Sequence, residues 1–325
     1  MNDLCVAVVG ATGLVGQTVV KILEERNFPV GRLKLFASTK SCGKQILFKG
    51  KNIGIDALEN SSFVDVDIAL FCVPAEISKK FVPIAVNEGA YVVDNSSCFR
   101  LEEDVPLVVP EVNGGEVCSG KRVISNPNCS TIQCVLPISA LKSLEIKRAS
   151  FVTYQSVSGS GYKGISALNQ ALLGNNEGVY PYDISKTCIP RIGEINENGY
   201  SEEELKMIYE TKKILEAPCL NVSATCVRVP VAFCHGAAVT LEFKKEINVE
   251  SVKEMLAAQN GVMLCDYPNS IDAVGQDKVY VGRIRKDLFD RNTVHFYCTC
   301  DNVRKGAATN AVQIAELVVK EKGKK

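Results

Sequence analysis

The chain has 325 residues, more than one ordinary core needs, and a prior of about 150 residues per domain predicts two domains. Hydrophobic residues make up 46% and charged residues 23%, the balance of a globular protein. Lys+Arg and Asp+Glu each number 37, so zero net charge gives no electrostatic case for nucleic acid or an anionic membrane as partner.

The first elements alternate between strand and helix. "LCVAVV" is a short apolar run ending at Gly10, and "LVGQTVVKILEER" sets Val15, Val19, Ile22 and Leu23 on one helical face before Asn27 and Pro29 stop it. "LKLFAS" reads as the second strand, and the continuous apolar run "VDIALFCVP" as a strand buried on both faces. "EISKKFVPIAVNEG" follows as a helix and "AYVVDNSS" as another strand. This βαβ rhythm predicts a Rossmann-type, doubly wound parallel sheet.

The rhythm changes after about residue 131. "CSTIQCVLPISALKSL" predicts a helix leaving a loop. Longer alternating strands follow: "RASFVTYQSV", "ATCVRVPVAF", "HGAAVTLEF", "KVYVGRIRKD" and "NTVHFYCTC". Pairs of these are expected as antiparallel neighbours in a second, α+β domain. The expected organisation is therefore 1–131 for nucleotide binding and 132–305 for catalysis and dimerisation. The last helix, within 306–325, is expected to pack back on the first domain.

No apolar run approaches the roughly 20 residues of a membrane span. The opening "MNDLCVAVVG" carries no basic leader, which predicts a cytoplasmic protein. The 14 cysteines are then expected to be reduced. None are spaced C-x-x-C, so no metal site is expected, and the pair in "HFYCTC" reads as packing.

"GATGLVG" sets Gly10, Gly13 and Gly16 between the first strand and the first helix. A tight turn there lets a pyrophosphate approach free N–H groups at the helix start. The second strand ends in "FASTKSCGK". Ser38, Thr39, Lys40 and Ser41 offer hydroxyls and a cation where an NAD site usually has a carboxylate, which suits the 2′-phosphate of NADP.

Cys129, in "SNPNCSTIQC", sits where a helix is expected to begin. A helix N-terminus lowers a thiol pKa and offers N–H groups to an oxyanion, so this cysteine is the candidate nucleophile. Cys134, inside the same helix, reads as packing. Of the two histidines, His295 is flanked by strand residues, whereas His235 precedes Gly236 at a strand edge where a ligand can come close. Arg228 lies in the preceding strand and offers the fork that grips a carboxylate.

Taken together, "GATGLVG", "DNSSCFR", "NPNCST", "TYQSVSGSGYKG", "EELKMIYETKKIL", "CVRVPVAFCHG" and "GAATNAVQIAE" resemble the aspartate-semialdehyde dehydrogenase family over nearly the whole chain. The resemblance implies reversible, NADP-dependent conversion of L-aspartyl-4-phosphate to L-aspartate 4-semialdehyde and inorganic phosphate, in lysine, threonine and methionine synthesis. It implies Cys129 as the acyl-thioester nucleophile, His235 as acid/base and Gln155 as the residue orienting substrate. Arg228 then clamps the α-carboxylate, Glu203 faces the α-ammonium, and Arg100, Asn128 and Lys206 contact phosphate. Glu210 and Lys213 form a rival to Glu203 and Lys206 at the same spacing. Thr12, Gly13, Leu14 and Val15, residues 38–41, Ser158, Gly159 and Asn310 correspond to NADP positions. A homodimer or homotetramer is implied. Cys98 and Cys234 depart from the pattern and are expected to add thiol sensitivity. The alternatives are an N-acetyl-glutamyl-phosphate reductase and a non-catalytic NADP-binding paralogue.

Overall fold

The computed structural model describes residues 4–176 and 178–322. Residues 323–325 of the expected last helix lie outside that range. The chain forms two compact units, Met1–Pro127 together with Ala307–Lys325, and Asn128–Gly306.

The first unit carries β1 (Leu4–Val9), α1 (Leu14–Glu25), β2 (Val30–Ala37), β3 (Gln45–Phe48), β4 (Lys51–Ala57) and β5 (Ile68–Phe71). It continues with α2 (Ala75–Asn87), β6 (Tyr91–Asp94), α3 (Pro110–Asn113) and β7 (Val123–Ser125), and takes in the closing helix, Thr309–Lys322. The sheet order is β3-β4-β2-β1-β5-β6-β7, parallel except for the β3–β4 pair. β1 is buried on both faces, as a parallel strand with helices on either side must be. Val6 and Val8 pack with Val19, Leu23 and, from the closing helix, Val312 and Ala315. Ala7 and Val9 pack on the opposite side with Phe71, Phe81 and Val82. The hairpin β3–β4 is absent from the sequence expectation. Its turn residues Lys49 and Gly50 both have positive φ, the geometry that matches the twist of paired strands.

The second unit carries α4 (Cys129–Ala140), β8 (Ile146–Gln155), α5 (Tyr162–Leu172), α6 (Glu202–Ile214), β9 (Asn221–Arg228) and β10 (His235–Phe243). It ends with α7 (Val249–Ala258), β11 (Val262–Leu264), α8 (Ser270–Ala273), β12 (Val279–Lys286) and β13 (Thr293–Cys300). Its sheet order is β11-β12-β13-β10-β8-β9. β8–β10, β10–β13 and β12–β13 are antiparallel. β8 and β9 are instead parallel, because α5 and α6 lie between them in the chain and return it to the same end of the sheet. α4 is buried without interruption from Ser130 to Ile138, its polar Ser130, Thr131 and Gln133 included.

Candidate active site

In the first unit, the glycine turn works by close approach. Gly10 has φ +84°, and a Cβ there would lie 2.3 Å from the Cys72 carbonyl oxygen. A Cβ on Gly16 would lie 2.1 Å from the Gly10 oxygen, so turn and helix can meet only without side chains. Gly13 caps α1 with no side-chain hydrogen bond, which suits that helix start to an anion. Beside it lies a cavity of about 520 Å³ lined by Gly10, Thr12, Gly13, Ser38, Thr39, Leu58, Cys72, Val73, Pro74, Ile77, Lys80 and Phe81, among others. Its lining holds hydroxyls and a lysine and no carboxylate, a donor set that fits NADP. Leu14, Val15, Lys40 and Ser41 flank this cavity in sequence and are not among its lining residues. The residues from Leu58 and from 72–81 escaped the sequence reading. The signal for them was the carboxyl end of "VDIALFCVP", where parallel sheets bind ligands.

Arg100 and Asn310 serve a polar network within this unit. Arg100 is buried and donates from Nε to the Asn126 carbonyl (3.0 Å) and from Nη2 to that of Asn95 (2.8 Å). The Asn310 amide donates to the Val108 carbonyl and to Asn126 Oδ1, and it does not line the cavity. Arg100 thus fixes the strand end that leads through Pro127 to Asn128.

In the second unit, Asn128 caps α4, its Oδ1 accepting from the amides of Ser130 (2.9 Å) and Thr131 (3.2 Å). Its Nδ2 donates to Glu203 Oε1 at 2.8 Å, and its own N–H donates to Glu210 Oε2 at 2.7 Å. Glu203 also meets Lys206 Nζ at 3.4 Å. The two rival glutamates therefore converge on one asparagine from one helix, α6. Glu210 accepts from the Asn128 backbone, and Glu203 pairs with Lys206. Cys129 follows the cap and is partly exposed. A Cβ on Gly306 would lie 3.1 Å from the Cys129 Cβ, so that glycine gives the cysteine its room.

Gln155, Arg228 and His235 lie at one end of three adjacent strands. Gln155 pairs with Arg228 across β8 and β9, and Gly236 pairs with Tyr154 across β10 and β8. The Gln155 side chain is buried, its Nε2 3.3 Å from Thr153 Oγ1. Arg228 is buried and donates from Nη1 to the Ser156 carbonyl at 2.6 Å. His235 is fully buried. Its Nδ1 lies 3.0 Å from the Ser156 amide and 3.0 Å from Ser156 Oγ, while its Nε2 has no partner. Burial, then the Arg228 charge, holds this imidazole well below its ordinary pKa. Gly159 adjoins it; a Cβ there would lie 2.8 Å from Arg228 Nη1 and 3.4 Å from His235 Nε2. Ser158 is buried and donates to Asn302 Oδ1. Asn302 and Ser156 also escaped the sequence reading, because nothing in their local sequence distinguishes them from strand-end residues. β13 brings Cys300 opposite His235. α4, which begins at Cys129, packs against β10 and β13.

Several of the remaining cysteines pack in the interior, while Cys42, Cys118, Cys188 and Cys219 are exposed. Cys134, Cys298 and Cys300 are fully buried. Burial, then Asp301, pushes the thiol of Cys234, a residue with φ +71°, up to about 12. Burial, then Asp94, also raises the Cys98 thiol. His295 lies on the outer sheet face, bonded to Thr240 Oγ1 and Asp287 Oδ2, both at 2.9 Å. Among the described residues no group of three or more potential metal ligands gathers. No helix there is long and apolar enough to cross a membrane.

Residues 5–119 match the family "Semialdehyde dehydrogenase, NAD binding domain", and residues 136–305 match "Semialdehyde dehydrogenase, dimerisation domain". The chain is 46% identical to the aspartate-semialdehyde dehydrogenase of Aquifex aeolicus over 97% of this chain and 98% of that one. It is 43% identical to that of Bacillus subtilis over 98% of both. The crystal structure of aspartate semialdehyde dehydrogenase II from Vibrio cholerae complexed with ASA superposes with a TM-score of 0.95, at 43% identity, covering 98% of this chain and 99% of that one. The Candida albicans enzyme with NADP gives 0.78 at 26% identity, covering 99% of both. Over its full architecture the chain belongs to the aspartate-semialdehyde dehydrogenases, the NADP-dependent oxidoreductases that convert L-aspartyl-4-phosphate to L-aspartate 4-semialdehyde in amino-acid biosynthesis.

Proposed function

We propose that Cys129 is the nucleophile of this reaction and that the strand ends carrying Gln155, Arg228 and His235 form the substrate pocket. The convergence of a buried arginine, an orphaned imidazole nitrogen and a glycine with no room for a Cβ carries this reading. Cys129 Sγ attacks the acyl phosphate, and the C–O bond to phosphate breaks with its electron pair on phosphate. Asn128 and Lys206 receive that anion, and Arg228 grips the α-carboxylate by charge-assisted bonds. Glu203 faces the α-ammonium, a role with no purpose for an N-acylated substrate. Glu203 and Lys206, paired beside Asn128, are the substrate pair in this reading. Gln155 orients the acyl carbonyl. Bound NADPH supplies the hydride that reduces the thioester. Within the first unit, Gly10, Thr12, Gly13, Ser38 and Thr39 line the cavity that takes the adenine and phosphate end of the cofactor, with Leu14, Val15, Lys40 and Ser41 beside them in sequence.

The same reading makes the protein a cytoplasmic homodimer. β8, β10 and β13 leave Val152, Tyr154 and Tyr297 on one outer face, with Val152 and Tyr154 about 40% exposed. An aromatic, uncovered sheet face suits a second copy of this chain.

The deciding experiment mixes purified protein with aspartate semialdehyde, NADP and inorganic phosphate and follows NADPH absorbance. A phosphate-dependent rise is expected, and no signal in any buffer overturns the proposal. Brief exposure to substrate without phosphate is expected to leave an acyl adduct on Cys129, read by mass spectrometry.

A further inference from the structure

The cavity beside the glycine turn carries a cation that the motifs did not mark. α2 sets Ile77, Lys80 and Phe81 against it, and a spacing of three and four residues puts all three on one helix face. Lys79, one position earlier, stands about 100° round the helix and does not line the cavity. Among the described lining residues Lys80 alone bears a charge. Its Nζ lies 4.8 Å from the centroid of the Phe81 ring. Phe81 is buried among Ala7, Val9, Phe71 and Val82, so the ring is a fixed platform. Cation–π attraction holds the ammonium there and leaves its three N–H groups free to donate. No carboxylate pairs with Lys80 among the described residues.

Lys40, the cation expected from the end of the second strand, is placed differently. It belongs to the short turn Thr39–Ser41, is exposed, and does not line the cavity. Its neighbours Ser38 and Thr39 do. A hydroxyl donates to a phosphate and to a ribose hydroxyl alike, so those two residues by themselves separate NADP from NAD weakly. An ammonium separates them well, because only the 2′-phosphate supplies a charged acceptor.

We propose that Lys80, and not Lys40, is the residue that sets the preference for NADP over NAD. Its ammonium meets the 2′-phosphate from α2, while the Ser38 and Thr39 hydroxyls meet it from the end of β2. This assignment rests on the cofactor region proposed above. The Phe81 platform matters for the energetics: a free lysine loses side-chain entropy when it grips a ligand, and one already held over a ring loses less.

The test is calorimetry on the purified protein with 2′,5′-ADP and 5′-AMP, two ligands that differ only in the 2′-phosphate. No turnover is involved, so the result is independent of the assigned activity. The wild type is expected to bind 2′,5′-ADP the more tightly. In Lys80→Gln that preference is expected to fall about tenfold, the worth of one hydrogen bond to a charged group, with 5′-AMP binding held. Lys80→Glu is expected to lose more, and Lys80→Arg to keep the preference. Lys79→Gln, a change on the neighbouring face, is expected to leave it as in the wild type. Salt supplies a further signature. Between about 0.05 and 0.5 M, screening is expected to shrink the wild-type preference and to alter that of Lys80→Gln less.

An unchanged preference in Lys80→Gln overturns the assignment, as does a loss confined to Lys40→Gln. A wild type that binds both ligands equally has no 2′-phosphate site in this cavity, and then the cofactor region fails along with Lys80. In turnover, Lys80→Gln is expected to raise KM for NADP about tenfold with kcat held, the mark of lost uniform binding. A lowered kcat at unchanged KM would count against a binding role.

Discussion

At the scale of single residues, the sulfur of Cys129 and the carboxylate of Glu203 make separable predictions. Cys129→Ser is expected to drop turnover below about one-thousandth, as loss of a covalent nucleophile does, without changing thermal stability. Glu203→Gln leaves the Asn128 contact possible but removes the charge. A hydrogen bond to a charged group is worth roughly 1.5–3 kcal/mol. The expected effect is therefore a KM for aspartate semialdehyde raised about 10–100-fold; an unchanged KM would favour an N-acylated substrate. Residues of this kind were legible because their chemistry is unusual for their surroundings. A cysteine between asparagine and serine after a proline, or an arginine in a strand, stands out. Ser156 and Asn302 did not. Their importance arises from where β8 and β13 end, and serine and asparagine are common at any strand end.

At the scale of elements, the glycine turn before α1 has the narrowest tolerance. Gly16→Ala would drive a methyl into the Gly10 carbonyl, a backbone atom that cannot swing aside. Overpacking of this sort costs about 1–3 kcal/mol. A lowered Tm and at least tenfold weaker NADP binding, measured by calorimetry on the purified protein, are expected together. Unchanged binding would separate this turn from the cofactor. The βαβ alternation and the closing helix were readable from apolar periodicity alone. Two features were not. The β3–β4 hairpin has a lysine as its first turn residue, a weak marker beside the usual asparagine or aspartate. The parallel pairing of β8 with β9 depends on how the chain is routed through α5 and α6, which strand composition does not record.

At the scale of the whole molecule, pH and assembly are the readouts. The folded state depresses the His235 pKa, while the unfolded chain titrates near the ordinary value of about 6.5. Below that pH the unfolded state binds the proton first. The contribution to stability is present above about pH 6.5 and is lost as pH falls, at up to about 1.4 kcal/mol per pH unit. Urea midpoints are expected to fall from pH 7 towards about pH 5.5 less steeply in His235→Gln than in the wild type. Parallel slopes would count against a buried neutral ring. For assembly, Tyr154→Asp puts a charge on the outer sheet face, and sedimentation is expected to give a smaller species than the wild type. An unaltered sedimentation coefficient would move the dimer contact elsewhere.

The left-handed turn at Cys234 has a practical corollary for handling the enzyme. A residue in that conformation gives up roughly 1–2 kcal/mol, recovered as soon as the local segment springs open. Mild heating should therefore disarm the catalyst while far-UV circular dichroism still reports an intact fold. Storage life would then track the opening of one short peptide segment, and substituting asparagine, which accepts this geometry more readily, should lengthen it.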